Sequence, residues 1–443
     1  MKQMKNSIII SAFFISAICF SQKKWTLQEC VAYALENNIN IKKAGNTLLI
    51  NDQDIIAAKG SFLPTVSGSA SHGISLGQSQ LFEGSFVNRT SNSTNLGLRV
   101  SENVFNGFRT IYLYKQAQLN LETSQLELDR IKDDIFLNVA NSYLNVLFNK
   151  EQLETAKAQY DFSIKQLQQV KDLVDAGTQP RVDIYDAEAT LANDEQAVTI
   201  AQNNYTLSLL SLSQLLQLPF EGFDVQVIEV DNPSEALLYD NVSPILDYAL
   251  ENRNEIKIAE KNIDNSEINT KLSKVGYLPS VSLGYSFGTN VFYTNASNMA
   301  EEAFFRQLNN NKGHNFNLNV NIPIFSQFQN KTAVAKSTIR EDNARMDLDQ
   351  AKLDLEANIQ RAFTDAQAAF KTYEAAKKSL QAQELSFNNS QERFNIGSMN
   401  SFELEQSRIR YINAQSSLIN AKYDFVFKTK VLDFYMGKTI TLD

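Results

Sequence analysis

The sequence is short of the residues that carry most catalytic and metal chemistry: its 443 positions hold two histidines, His72 and His314, and two cysteines, Cys19 and Cys30. A metal centre needs several ligands brought close together, and a hydrolytic site needs a base beside its nucleophile, so this inventory supports neither an enzyme nor a bound cofactor. Both histidines fall in a strand-and-loop region and read as solvated or lumen-facing groups. Gly437-Lys438-Thr439 matches the end of a phosphate-binding loop, but Leu432 stands where that loop needs its first glycine, and no strand precedes it. Asn88-Arg89-Thr90 is a bare glycosylation triplet of little weight.

Positive charge is also scarce. The net charge of −9 lacks the basic excess that nucleic-acid binding requires. At the N-terminus Lys2 and Lys5 precede an apolar run from Ile8 to Phe20, and Ser21 offers a small residue for cleavage, so residues 1–21 read as a signal peptide. Their removal takes away two lysines and no acid, and the mature chain falls to −11. Ile18 is bulkier than the residue that usually precedes a lipidated cysteine, which argues against a lipid on Cys19. Cys30 is then left with no disulfide partner and reads as a helix-packing residue. After the signal region no apolar run approaches the ~18 to 20 residues of a spanning helix, so any membrane passage falls to strands.

Glycine and proline are absent from 108 to 176 and again from 181 to 218. The first stretch predicts one helix roughly 100 Å long at ~1.5 Å per residue. Its apolar stripe over Leu153, Ala156, Tyr160, Ile164, Leu167, Val170 and Val174 runs in steps of three and four. Gly177-Thr178-Gln179-Pro180 breaks it, and the following run must fold back antiparallel, giving a long helical hairpin with a tight tip. Trp25 to Gly60 also reads as helical.

The text repeats. Tyr33-Ala34-Leu35-Glu36-Asn37 returns as Tyr248-Ala249-Leu250-Glu251-Asn252, and at this offset thirteen positions between 33 and 67 are identical, through Leu63-Pro64 and Leu278-Pro279. Farther on, Asp129, Lys132, Asp134 and Asn138 match Asp349, Lys352, Asp354 and Asn358, and Gly177 matches Gly397. Residues 22–218 and 245–443 therefore form two tandem structural repeats of one unit, each a helix, two strands, a long helix and a return helix. Between them, 219–244 is a connector whose alternating Val225 to Val230 reads as a short strand.

All four strands have one greasy and one wet face. Val66, Gly68, Ala70, Ile74 and Leu76 oppose serines; Leu96, Leu98, Val100 and Val104 oppose Asn95, Gly97, Arg99 and Asn103. Val281, Leu283, Tyr285, Phe287 and Val291 form the third greasy face, and Phe316, Leu318, Val320, Ile322 and Ile324 the fourth. A soluble half-buried sheet has the same period. Two features favour a bilayer: about ten residues per strand, and aromatics such as Phe62, Phe105, Tyr277 and Phe325 where strands meet helices. Gly77–Ser93 and Thr289–Asn315 read as long polar loops. Four strands cannot close, and an open edge in lipid strands its backbone groups, so several copies must share one barrel. Two copies would give eight strands and a filled interior; three give twelve and a lumen, and the Ser- and Asn-rich wet faces favour three.

This order of elements, with Leu63-Pro64 and Leu278-Pro279 at barrel entry and Gly177-Thr178 and Gly397-Ser398 at the tips, resembles the outer membrane factor family of tripartite efflux and secretion systems, the TolC-like proteins. The resemblance implies a fold that is mainly α with membrane β: a trimeric 12-stranded β-barrel, four strands per chain, continuous with a long α-helical coiled-coil barrel. It also implies a bacterial outer-membrane location extending into the periplasm. The partners implied are two further copies, outer-membrane lipid, a periplasmic adaptor (membrane fusion) protein docking on the tips, and an inner-membrane RND or ABC transporter that supplies energy and specificity. Family tips carry acids that narrow the pore, and the matching positions are Asp183, Asp186, Glu403 and Glu405. Acids in a first helical turn also serve the macrodipole, and Asn400 with Glu403 has capping-box spacing. Phe394 and Met399 stand where family members have a tyrosine and an arginine that hold a closed tip, so closure here falls to packing and to Asp183 with Arg181. The alternative is a periplasmic or surface coiled-coil scaffold without a lumen.

Overall fold

The computed structural model describes residues 24–80, 84, 86–227, 239–295 and 302–438; the signal region with Cys19 lies outside them. The chain is mainly helical. After a short strand β1 (Lys24–Trp25), α1 (Leu27–Asn37) and α2 (Ile39–Gly60) lead to β2 (Thr65–Gln80) and β3 (Phe86–Phe105), then to α3 (Arg109–Asp175) and α4 (Val182–Leu216). Strand β4 (Asp224–Val225) follows, then α5 (Ser243–Asn252), α6 (Asn254–Lys274), β5 (Ser280–Thr294), α7 (Phe304–Asn310), β6 (Gly313–Asn321), α8 (Gln329–Asn395) and α9 (Ser401–Tyr435). Both long helices have 67 residues and both return helices 35.

Two compact units share these elements. One takes Met1–Gly45, Glu127–Ile256 and Gln350–Asp443, the other Asn46–Leu126 and Lys257–Asp349, so each draws on both halves of the chain.

In the first unit, Thr26 and Glu29 form a complete capping box that starts α1. The expected single helix from Trp25 to Gly60 is broken at Asn38 (φ −58°, ψ 130°), because the Asn38 side-chain oxygen accepts the N–H of Asn40 at 2.8 Å and starts α2 afresh. Arg253 makes the corresponding break between α5 and α6 (φ −68°, ψ 138°). Of the strand expected over Val225 to Val230, only Asp224–Val225 pairs, in parallel with β1, and 228–230 lie outside the described residues. Tyr143 on α3 fixes this ribbon by donating to the carbonyls of Trp25 (3.2 Å) and Gln226 (2.7 Å). Cys30 is buried and in no disulfide among the described residues. The stripe on α3 holds at Leu153 and Val170 but slips between them: Ile164 is 45 % exposed and Ser163 is buried.

The second unit carries an antiparallel sheet in the order β2-β3-β5-β6. Its register puts the paired members of the four greasy sets on one face, but β6 ends at Asn321, so Ile322 and Ile324, expected in the fourth strand, lie beyond the ladder. Val66 lies opposite Val100, Val100 opposite Tyr285 and Tyr285 opposite Phe316; Leu98, Phe287 and His314 form the next row. Val66, Phe316, Leu318 and Val320 are each more than half exposed, so the described residues leave much of this face uncovered, although Val291 on β5 is buried.

The same register corrects three expectations. His314 lies opposite Phe287, and His72 alternates in step with Val66 and Ile74, so both histidines share the greasy face rather than the wet one. A bulge between Asn103 and Phe105 brings Phe105, not Val104, opposite Val281. Most of Gly77–Ser93 is strand rather than loop, because β2 runs to Gln80 and β3 starts at Phe86. The strands thus have 16, 20, 15 and 9 residues, and the alternation marks only their apolar band. Beyond that band Ser, Asn, Thr and Gln continue the ladder, since backbone pairing needs no apolar side chain. Within Thr289–Asn315, β5 continues to Thr294 and α7 caps its edge where β6 has ended: Gln307 accepts the N–H of Phe292 at 2.9 Å and Asn311 donates to the carbonyl of Asn290 at 2.7 Å.

Candidate functional site

The helical turns at Gly177 and Gly397 have one construction. Each glycine sits at φ 75°, and a Cβ there would meet nothing within 4 Å, so the backbone angle alone selects glycine. Gly177 N–H bonds the carbonyl of Val174 (2.9 Å) and Thr178 N–H that of Leu173 (3.0 Å); Gly397 and Ser398 repeat this with Phe394 (3.0 Å) and Arg393 (2.8 Å). The hydroxyls of Thr178 and Ser398 donate to the same Leu173 and Arg393 carbonyls, at 2.8 and 3.1 Å, which explains a hydroxyl residue after each glycine.

The return helices start differently. Asn400 caps α9 by accepting the N–H of Glu403 at 2.8 Å, whereas Arg181 precedes α4 without a side-chain cap. Asp183 is half-buried, its N–H bonded to the Pro180 carbonyl, and among the described residues no ion pair joins it to Arg181. Asp186 and Glu403 are exposed. Glu405 is committed elsewhere, with both oxygens against Arg408 at 2.8 and 2.9 Å.

Phe394 and Met399 both join apolar packing near the turns. Phe394 is 2 % exposed in an apolar cluster with Val170, Phe387 and Leu404, against which Ile184 and Met399 pack. A polar knot the sequence reading missed sits deeper. The Arg408 side chain is 3 % exposed; besides Glu405 on its own helix it reaches Asp194 on α4 at 2.9 Å and Ser163 on α3 at 3.3 Å, and the Ser163 hydroxyl also donates to Asp194. Burial alone would lower the Arg408 pKa, but Glu405 and Asp194 outweigh it and hold the guanidinium above its ordinary value. Here is the reason for the slipped stripe: Ser163 is buried because it completes this knot. Also missed were apolar side chains left exposed beside the turns, Val182, Tyr185, Ile396 and Phe402; their signal is an apolar residue flanking a helix-breaking glycine in polar surroundings.

Leu63-Pro64 and Leu278-Pro279 stand immediately before β2 and β5. The preceding N–H groups turn back on the helices, Leu63 to the Gly60 carbonyl and Leu278 to that of Val275, and proline then brings the chain into the first strand residue without a donor. No group of three or more potential metal ligands occurs among the described residues.

Comparison with known proteins supplies the context. The family model for outer membrane efflux proteins matches residues 31–217 and 245–438. Outer membrane protein TolC of Vibrio cholerae is 19% identical over 385 residues, 86% of this chain and 84% of that one. The pyoverdine export outer membrane protein OpmQ of Pseudomonas putida is 24% identical over 246 residues, 52% of this chain and 50% of that one. Among solved structures, CusC superposes with a TM-score of 0.79 at 17% identity, covering 93% of this chain and 92% of that one. The open state of MtrE from Neisseria gonorrhoeae gives 0.75 at 19%, covering 94% and 90%. These structural likenesses establish the fold, and the two matched segments together span most of the sequence: the chain belongs to the outer membrane efflux protein family.

Proposed function

We propose that three copies assemble into an outer-membrane exit duct, twelve strands closing one barrel above a helical tunnel, and that the tandem repeats 22–218 and 245–443 with the connector 219–244 make one structural unit. The observation that carries this reading is the four-stranded sheet with one exposed apolar face and unpaired edges at β2 and β6. In lipid such edges leave N–H and C=O groups without partners, at several kcal/mol each, and pairing β6 with β2 of the next copy removes the cost. Exposed apolar residues at seven-residue spacing also favour helical neighbours: Leu49 and Ile56, Ile200 and Leu207, and Ile339, Met346 and Leu353.

In this reading Gly177, Thr178, Gly397 and Ser398 shape tips that dock on a periplasmic adaptor, and Val182, Tyr185, Ile396 and Phe402 provide their apolar contact. The adaptor connects the duct to an inner-membrane pump of the RND or ABC class, which does the work and chooses the cargo; the duct breaks no bond. OpmQ, a pyoverdine export protein by name, supports export as the direction of transport. Asp183, Asp186 and Glu403 ring the narrow end, where threefold symmetry multiplies their attraction for cations, while Glu405 serves Arg408.

Reconstitution of the detergent-extracted protein in planar bilayers tests this. A conducting, cation-preferring trimer is expected, and Asp183→Asn with Glu403→Gln lowers the preference. A monomer without conductance contradicts the duct, and unchanged selectivity returns the two acids to helix capping.

A further inference from the structure

Within the second unit, α6 runs between α3 and α8, tied to one by Gln116–Asn265 (2.8 Å) and to the other by Thr270–Glu341 (3.1 Å). Between them lies a cavity of about 400 Å³ lined by Arg109, Arg340, Ser266, Asn269, Ser273 and Ser337. Both arginines are exposed, Leu272 completes the lining, and no acidic residue is part of it. The acids next in sequence to the lining, Glu267 and Glu341, are both taken by Arg345 at 3.0 Å. Two like charges facing one small cavity repel, and a bound anion converts that repulsion into two charge-assisted contacts. The Ser273 and Ser337 hydroxyls already donate to the carbonyls of Asn269 and Val334, which leaves the arginines, Ser266 and the second N–H of the Asn269 amide as donors.

Position narrows the chemistry. Arg109 is the first residue of α3 and follows the end of β3 at Phe105 by four positions. Phe105 and Phe108 meet edge to face just before it, at 5.3 Å between ring centroids, and Phe108 is half exposed. Aromatic rings at the foot of a membrane sheet mark the headgroup level, and arginines one step beyond them face phosphate. We propose that this cavity binds a phosphate group, and that its source is the headgroup of an anionic phospholipid in the periplasm-facing leaflet. The lipid assignment rests on the sheet spanning the membrane as proposed above; the anion site itself does not.

Thermal unfolding of the full-length protein in detergent, titrated separately with phosphatidylglycerol, with zwitterionic phosphatidylethanolamine and with inorganic phosphate, tests it. Phosphatidylglycerol is expected to raise the unfolding temperature saturably and phosphatidylethanolamine to do so much less. Arg109→Gln with Arg340→Gln weakens the apparent affinity at least about tenfold, while Arg410→Gln, an exposed charge elsewhere, leaves it unchanged. An equal, arginine-dependent response to inorganic phosphate keeps the site and overturns the lipid source. No response to either anion, or a response intact in the double variant, overturns the proposal. Conductance of the same preparations separates this from the duct: a conducting trimer without anion response refutes the cavity alone, and an anion response without conductance refutes the duct alone.

Discussion

Arg408 lies at 3 % exposure with Asp194 at 13 % beside it, a pair whose loss of water is repaid only while both partners remain. Removing one is therefore worse than removing both. Asp194→Ala should lower stability by about 3–5 kcal/mol, and Arg408→Met in the same chain should restore much of that, as measured by thermal or denaturant unfolding of the single and double variants. Additive losses would mean the pair is not coupled. Half of this knot is legible in sequence, since Glu405 and Arg408 sit three residues apart on one helix; the other half is not, because Asp194 comes from 214 residues away. Arg253 shows the same limit. Its guanidinium stacks 4.3 Å from the centre of the Phe434 ring and contacts Glu255 at 2.8 Å and Asp133 at 3.5 Å, none of which periodicity announces. Burial, the largest single influence, pushes the Glu255 carboxyl up, but the Arg253 hydrogen bonds, its own backbone N–H and the charges of Arg253 and Arg130 together hold the pKa below the ordinary value. A depressed carboxyl stabilises the fold above its unfolded pKa of about 4.3 and loses that contribution as pH falls through the folded value. Glu255→Gln should thus flatten the acid limb of the stability curve, and an unaltered limb would show that the pair does not stabilise the fold.

Among the elements, the helical turns are the most readable, because a glycine-free run ending at one glycine admits few structures. Their φ of 75° costs a residue with a Cβ roughly 1–2 kcal/mol. Gly177→Ala and Gly397→Ala should each lose about that much, with local fraying seen as faster hydrogen exchange at Thr178 or Ser398; unaltered exchange would show that the turn tolerates the strain. Strand limits were less readable for a definite reason. Apolar alternation reports which face is greasy and stops where polar side chains take over, but Gln78 still pairs with Asn88 and Gln80 with Phe86. The break at Asn38 was equally hidden, since it depends on one side-chain oxygen competing with the helix for the N–H of Asn40.

For the whole molecule, the repeated text around Leu63-Pro64 and Leu278-Pro279, the two tips and the alternation of four strands were enough to reach the family. The acids at the tips were legible as positions but not as partners, and Glu405 proved to belong to Arg408. What the sheet needs follows from its order: β2 and β6 are edges separated by β3 and β5, about 14 Å apart at ~4.8 Å per strand. A disulfide cannot bridge that gap within one chain. The most direct measurement is therefore oxidative cross-linking of membranes carrying one cysteine on the wet face of β2, at Ser67, Ser69 or Ser71, with one on that of β6, at Asn315, Asn317 or Asn319. At the matching register the expected products are linked dimers and trimers and nothing larger. Monomers at every register, or ladders that stop at two or pass three, would contradict the shared barrel.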